Sequence, residues 1–167
     1  LVTDVGLELI QAGLILAAVH AVGAFSRVCM GWLADRLGSA MGILIAAGIG
    51  SIFMCLIITQ LSPNWPVLAT QLLCVVFGIS GIGWNGIFYS EIANKVSPKE
   101  VGSITGGALA FVFSGVSFGP ALFATSYFWI GSYTSTFGLV SIAAASAVLF
   151  MFLARRNDRL RVTEANS

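Results

Sequence analysis

Charge is what this sequence is short of. Asp, Glu, Lys and Arg make up only 9% of its 167 residues, against roughly 25% in an ordinary globular domain. That leaves too little polar surface to face water, and 57% of the residues are hydrophobic. Cysteine is scarce too. Cys29, Cys55 and Cys74 lie in or at the ends of apolar runs, and an odd count without metal-ligand spacing argues against a zinc site or a disulfide framework. They read as small buried hydrophobes. Histidine occurs once, as His20. There is no Ser/His/Asp set, metal-ligand cluster or phosphate-binding loop outside the apolar runs, so soluble enzyme chemistry, a metal, a cofactor and a nucleic-acid partner are not expected. The absence of a filter-like loop or a ring of acids disfavours a channel. No signal peptide is visible, and a start at Leu1 without Met leads to the expectation of a fragment whose N-terminal part is missing.

What fills the sequence is a set of five long apolar runs, at about 9–30, 41–60, 65–90, 101–128 and 133–153. A helix needs roughly 20 mostly apolar residues to cross the hydrocarbon core, and each run qualifies. The expectation is an all-α integral membrane protein, with a transmembrane unit over 1–154 and a basic tail over 155–167. Short polar segments separate the runs: a charged, Gly-bounded stretch at 31–38 (GWLADRLG), a Pro-punctuated loop at 61–66, a polar loop at 91–100 and a brief uncharged one near 131–134.

Five spans alternate sides, which makes the charges informative. Arg27, Arg36, Lys95, Lys99, Arg155, Arg156, Arg159 and Arg161 all fall at or near one side, and the other side receives no Lys or Arg. The positive-inside rule then places the turn near Asp35, the 91–100 loop and the C-terminus in the cytoplasm. Arg27 sits about one turn inside its run and can snorkel to that face. Trp65 and Trp129 fall at the outer boundary and Trp32 at the inner one, where aromatic belts form.

Within the spans, small residues recur at helix-packing intervals. The fourth run has Gly102 and Gly106 four apart, then Gly115 and Gly119 followed at once by Pro120. Such spacing serves close packing in lipid or a hinge, and Pro120 removes a backbone donor and is expected to kink the helix. The third run holds Gly78, Gly81, Gly83 and Gly86, a density that reads as a deformable helix, since each Gly weakens a helix by roughly 1 kcal/mol relative to Ala. Its formal G-x-G-x-x-G match is not a dinucleotide site, because no strand–helix framework surrounds it. Ionisable groups at membrane depth are functional candidates. His20, placed at helical spacing with Gly13, Ala17, Ala24, Arg27 and Gly31, is a candidate for proton coupling or for a helix–helix contact. Gln71, Ser80, Asn85, Tyr89, Ser114 and Ser117 are the other polar side chains of note; Gln71 and Asn85 read equally as substrate-facing groups or interhelical glue.

The stretch Arg27, Gly31, Leu33, Asp35, Arg36, Gly38 resembles the cytoplasmic signature of the major facilitator superfamily, G-x-x-x-D-R-x-G followed by a basic pair; Ser39 and Ala40 stand where that pair would be. Gly106, Gly115, Gly119 and Pro120 are similar to the family's glycine–proline motif, with Phe123 and Ala124 replacing the glycines that would complete it. Residues 84–91 (WNGIFYSE) and 105–109 (TGGAL) further resemble bacterial permeases of the cyanate-transporter type. The resemblance implies five helices of a six-helix half-bundle, best aligned with the eighth to twelfth of twelve, with the N-terminal half as the alternative alignment. It also implies a bacterial inner (plasma) membrane location and a missing half as partner. The third span would line a central cavity, making Gln71, Ser80, Asn85 and Tyr89 candidate substrate-path residues. Asp35 would sit at the positive end of a neighbouring helix, and Glu91 would be available to Arg27 or Arg36. The function implied is ion-coupled secondary transport of a small solute, a small anion by analogy. The alternative is a non-transporting membrane protein or an inactive truncated transporter.

Overall fold

The computed structural model describes residues 2–165. All the secondary structure among them is helical: a short α1 (Val2–Val5), then α2 (Leu9–Leu37), α3 (Ala40–Ile58), α4 (Val67–Lys95), α5 (Val101–Ile130) and α6 (Tyr133–Ala165). Helices α2 to α5, and α6 as far as Asn157, are long and apolar enough to cross a membrane. At 1.5 Å per residue, α2 and α4 with 29 residues each are about 43 Å long. That exceeds a hydrocarbon core of about 30 Å, so their charged ends reach the headgroup region. Helix α3, with 19 residues, is just long enough.

The helix ends follow from local chemistry. Gly38 ends α2 in the left-handed conformation (φ 61°), its N–H donating to the carbonyls of Ala34 and Asp35, a geometry that Gly adopts without a Cβ penalty. Ser39 then caps α3, its Oγ accepting from the Gly42 N–H. Helix α4 starts directly after Pro66. Before α5, the Ser97 hydroxyl donates to Glu100 at 2.7 Å. Gly131 (φ 78°) closes α5, and Ser132 Oγ accepts from the Ser135 N–H at the start of α6.

Two boundaries differ from expectation. The 31–38 stretch is not a loop: it forms the last two turns of α2, and the turn proper is Gly38 and Ser39. Likewise residues 91–95 belong to α4, so the connection to α5 is only 96–100. Charged residues mark where a helix leaves the hydrocarbon and not where it stops, because the intrahelical hydrogen bonds continue into the headgroup region. The basic tail behaves the same way and continues α6 to Ala165; residues 166–167 and the side chains of Arg159 and Arg161 lie outside the described residues.

Packing is uneven. Helix α2 lies along α4, α3 lies between α4 and α6, and α5 touches α4 and α6 only lightly. Two apolar clusters tie opposite ends together. At one end Val5, Leu7, Ile15, Ile58 and Leu61 are buried, with Trp65 and Phe77 against them; Val5 and Leu7 thus contribute to packing ahead of α2, and Trp65 is half-buried there. At the other end Ala34, Leu44 and Ile87 are buried beside Met30, Trp84 and Met151. Helix α5 has no buried residue. It is held through its C-terminal end, where Tyr127 stacks on Tyr133 of α6 with ring centroids 3.8 Å apart and Phe123 meets Phe137 edge-on at 5.3 Å.

Candidate functional site

Among the described helices, α2 and α4 share the most extensive contact, and it is a close one. On α2 the inward row is Ile15, Val19, Gly23, Ser26, Met30 and Ala34, spaced by fours and threes as one helix face requires. Gly78 of α4 lies so close to α2 that a Cβ there would sit 2.9 Å from the carbonyl oxygen of Val19. A Cβ on Gly23 would meet Ile82 at 2.8 Å, and one on Gly83 would meet Ser26 Oγ at 2.6 Å. The Ser26 hydroxyl, buried in the seam, donates to Gly23 O at 2.7 Å and lies 3.4 Å from Ile79 O across it. Small residues here let two backbones approach, and dispersion then holds them in a solvent as apolar as the side chains. Gly78 and Gly83, which read from sequence as flexibility, are therefore packing positions; Gly81 and Gly86 meet nothing closer than 3.7 Å.

Beyond Met30 the seam opens into a cavity of about 340 Å³ bounded by Gly31, Asp35, Ser90, Glu91 and Asn94. Asp35 and Arg36 occupy the last turn of α2, where the helix dipole favours Arg36 and disfavours Asp35. Arg36 folds back over Trp32, 5.1 Å from the ring centroid, a cation–π geometry. The Asp35 carboxylate is exposed to the cavity and has no ion-pair or hydrogen-bond partner among the described residues. Glu91, expected to reach Arg27 or Arg36, instead pairs with Lys95 one turn along its own helix at 3.2 Å, because the i,i+4 spacing brings those two side chains together without crossing the cavity. Arg27 is exposed, one residue past the inward row. Leu33 is also outside the seam, 37% exposed, and Gly31 lines the cavity mouth.

The remaining sequence candidates are scattered. His20 is exposed, with Gly13, Ala17, Ala24 and Arg27 on the same outward side; that row is rotated about 100° per residue from the inward row through Val19. Exposed on that side, His20 lies off the α2–α4 seam. The four candidate substrate-path residues do not converge. Gln71 lines a groove of about 290 Å³ between α2 and α4, with Leu14 and Ala18. Ser80 is buried on the opposite side of α4, donating to Phe77 O at 3.2 Å. Asn85 donates to Ile82 O at 3.2 Å, and Tyr89 sits edge-on to Phe88. Two of these polar groups thus satisfy themselves on the backbone of their own helix. Gly102, Gly106, Gly107, Gly115 and Gly119 have open space where a Cβ would be, so the small face of α5 meets no neighbour among the described residues, and α5 runs as one helix through Pro120. Among the described residues no cluster of His, Cys, Asp and Glu has the makings of a metal site.

Sequence reading passed over Gly23, Ser26 and Thr70. Gly23 and Ser26 belong to a small-residue row that continues through Met30, and a period count centred on Val19 instead of His20 would have found it. Thr70 is fully buried with its hydroxyl unpartnered, and nothing in the sequence marks it. Comparison with family models, with curated proteins and with solved structures finds no match for this chain.

Proposed function

We propose that the chain is part of a major-facilitator-type secondary transporter, corresponding to five helices of its C-terminal half, and that the whole protein moves a small solute by alternating access coupled to an ion gradient. One observation carries the reading: the Asp35 carboxylate stands at the negative end of α2, unpartnered among the described residues, at the rim of a cavity it shares with Glu91. Glu91 is paired with Lys95, so it is the Asp35 carboxylate that calls for a positive group the described residues do not supply. In a transporter of this type that group is the N-terminal end of a helix in the opposing half, and the contact closes one side of the pathway. Because a salt bridge or helix-dipole contact at a partly exposed site is worth about 1 kcal/mol or less, the latch is weak enough to open during each cycle.

Three further observations support the same reading. The signature residues lie on one helical hairpin, with every Lys and Arg at or near that end of the spans. The tight α2–α4 seam supplies a rigid body that can rock as a unit, which alternating access requires. Helix α5 has no buried residue, so its small face is available to a second bundle. The cytoplasm lies on the side of Asp35, and the membrane is the bacterial inner membrane. No acidic residue falls at mid-span, which disfavours a cation held by these helices alone; a small anion as the solute is taken by analogy with the cyanate-type permeases.

The test is a ligand screen followed by transport. Thermal shift of the purified protein against small anions and against organic cations identifies the solute class, and the best ligand is then offered to proteoliposomes under an ion gradient. Accumulation above protein-free vesicles, abolished by an ionophore, is expected. Equilibration at the protein-free rate for every ligand that shifts the melting temperature refutes the proposal.

A further inference from the structure

A second cavity, of about 490 Å³, lies away from the α2–α4 seam, on the side of α4 that meets α3 and α6. Its volume falls within the roughly 300–1,000 Å³ of small-molecule sites, and its walls are apolar. Gly48 and Ser51 of α3 and Ala147 of α6 form a floor of small side chains, and Trp84, Phe88 and Phe150 form the sides. The indole N–H of Trp84 is already committed to Gly81 O at 2.9 Å, and the Ser80 hydroxyl at the back of the groove to Phe77 O. The groove therefore offers a hydrocarbon guest mainly apolar contact area, with the polar groups of Trp84 and Ser80 already satisfied.

Its position along the membrane is one-sided. Leu44 and Met151 close the groove toward the charged end, each four residues from a positive feature. Leu44 is one turn from the start of α3 at Ala40, where unpaired N–H groups and the helix dipole favour an anion. Met151 is one turn before the half-buried Arg155, which i,i+4 spacing puts on the same face of α6. Four residues are about 6 Å of rise. An apolar groove thus leads, within a turn, to two positive features at the membrane end where the other Lys and Arg residues gather.

We infer that the α3–α4–α6 groove is a binding site for an anionic phospholipid, with one acyl chain between Trp84, Phe88 and Ala147 and the phosphate at Arg155 and the N-terminus of α3. The amphipathic match between groove and mouth selects this occupant. A second copy of the chain or a partner helix would fill the groove but leave Arg155 without an anion. The inference does not rest on transport activity. The bound lipid would brace α3 against α6 in the leaflet where anionic headgroups concentrate.

The test uses Trp84 as reporter. In a variant with Trp32, Trp65 and Trp129 changed to Phe, and with helix content checked by circular dichroism, the remaining fluorescence is quenched by lipids brominated on the acyl chain. Brominated phosphatidylglycerol is expected to reach half-quenching at about fivefold lower mole fraction than brominated phosphatidylcholine, the preference conferred by one basic residue at an anionic surface. Arg155→Gln should abolish that preference, Arg156→Gln should preserve it, and Ala147→Phe should reduce quenching by both lipids. Mass spectrometry of lipid carried through purification by the unaltered chain provides a readout without substitutions, with phosphatidylglycerol enriched over its share of the membrane. Equal quenching by the two lipids, a preference that survives Arg155→Gln, or cross-linking of Ala147→Cys into dimers with Trp84 shielded from both lipids would overturn the assignment.

Discussion

Replacing Gly78 by Ala adds one methyl group to the α2–α4 seam, and the structure says where it goes. The new Cβ would lie 2.9 Å from both the carbonyl oxygen and Cγ1 of Val19. The backbone oxygen cannot rotate away, so α2 must shift. Overpacking of this kind costs about 1–3 kcal/mol, partly offset by the roughly 1 kcal/mol that Ala gains over Gly in a helix. Gly106→Ala on α5 collects the same gain with open space around its Cβ. The two variants should therefore differ by about 1–3 kcal/mol, with Gly78→Ala the less stable. At about 2–4 °C per kcal/mol for a chain of this size, the gap is several degrees. Cys55, fully buried in α3, can report unfolding through a thiol-reactive fluorophore once Cys29 and Cys74 are replaced by Ala. Equal melting temperatures for Gly78→Ala and Gly106→Ala in the 167-residue chain would refute the seam.

Two further outcomes are expected. Gly38→Ala should destabilise the chain by about 1–2 kcal/mol, the cost of a side chain in the left-handed conformation, whereas Gly38→Asn should lose less; since nothing lies within 4 Å of the added Cβ, equal losses for the two would mean that backbone strain is not the cause. Cysteines placed at the exposed positions Ser97 and Asn64, in a background without the native three, should label with an impermeant maleimide from opposite sides of the membrane. Asn64 should react in intact cells and Ser97 only after permeabilisation, and the reverse pattern would invert the topology.

The five spans were legible because length and apolarity alone mark a helix that has to satisfy its own backbone in lipid. Which face of each helix packs was not. A soluble helix shows its buried side by contrast with polar residues, and these helices are apolar almost all round, so the one polar group in mid-α2, His20, drew attention to its own row and nothing marked the row through Val19. The glycines make the same point. Gly78 and Gly83, five residues apart, are pressed against α2, whereas Gly102, Gly106, Gly115 and Gly119, paired at the four-residue packing interval, face open space. Spacing states that a helix can be approached closely and says nothing of what approaches it. The helical character of residues 31–37 and 91–95 was hidden for a related reason, since charge reports depth in the membrane more directly than it reports a helix end.

The account turns on Asp35, an exposed carboxylate at the cavity rim with no partner among the described residues. Uptake of the solute identified by the ligand screen, measured in proteoliposomes containing the protein at its full natural length with Asp35 or with Asp35→Asn, tests its role directly. The substitution keeps the size and removes the charge that the latch needs, so initial uptake should fall about fivefold, the equivalent of roughly 1 kcal/mol in the rate-limiting step, with insertion and helix content unchanged. Undiminished uptake by a correctly inserted Asp35→Asn protein would contradict the account.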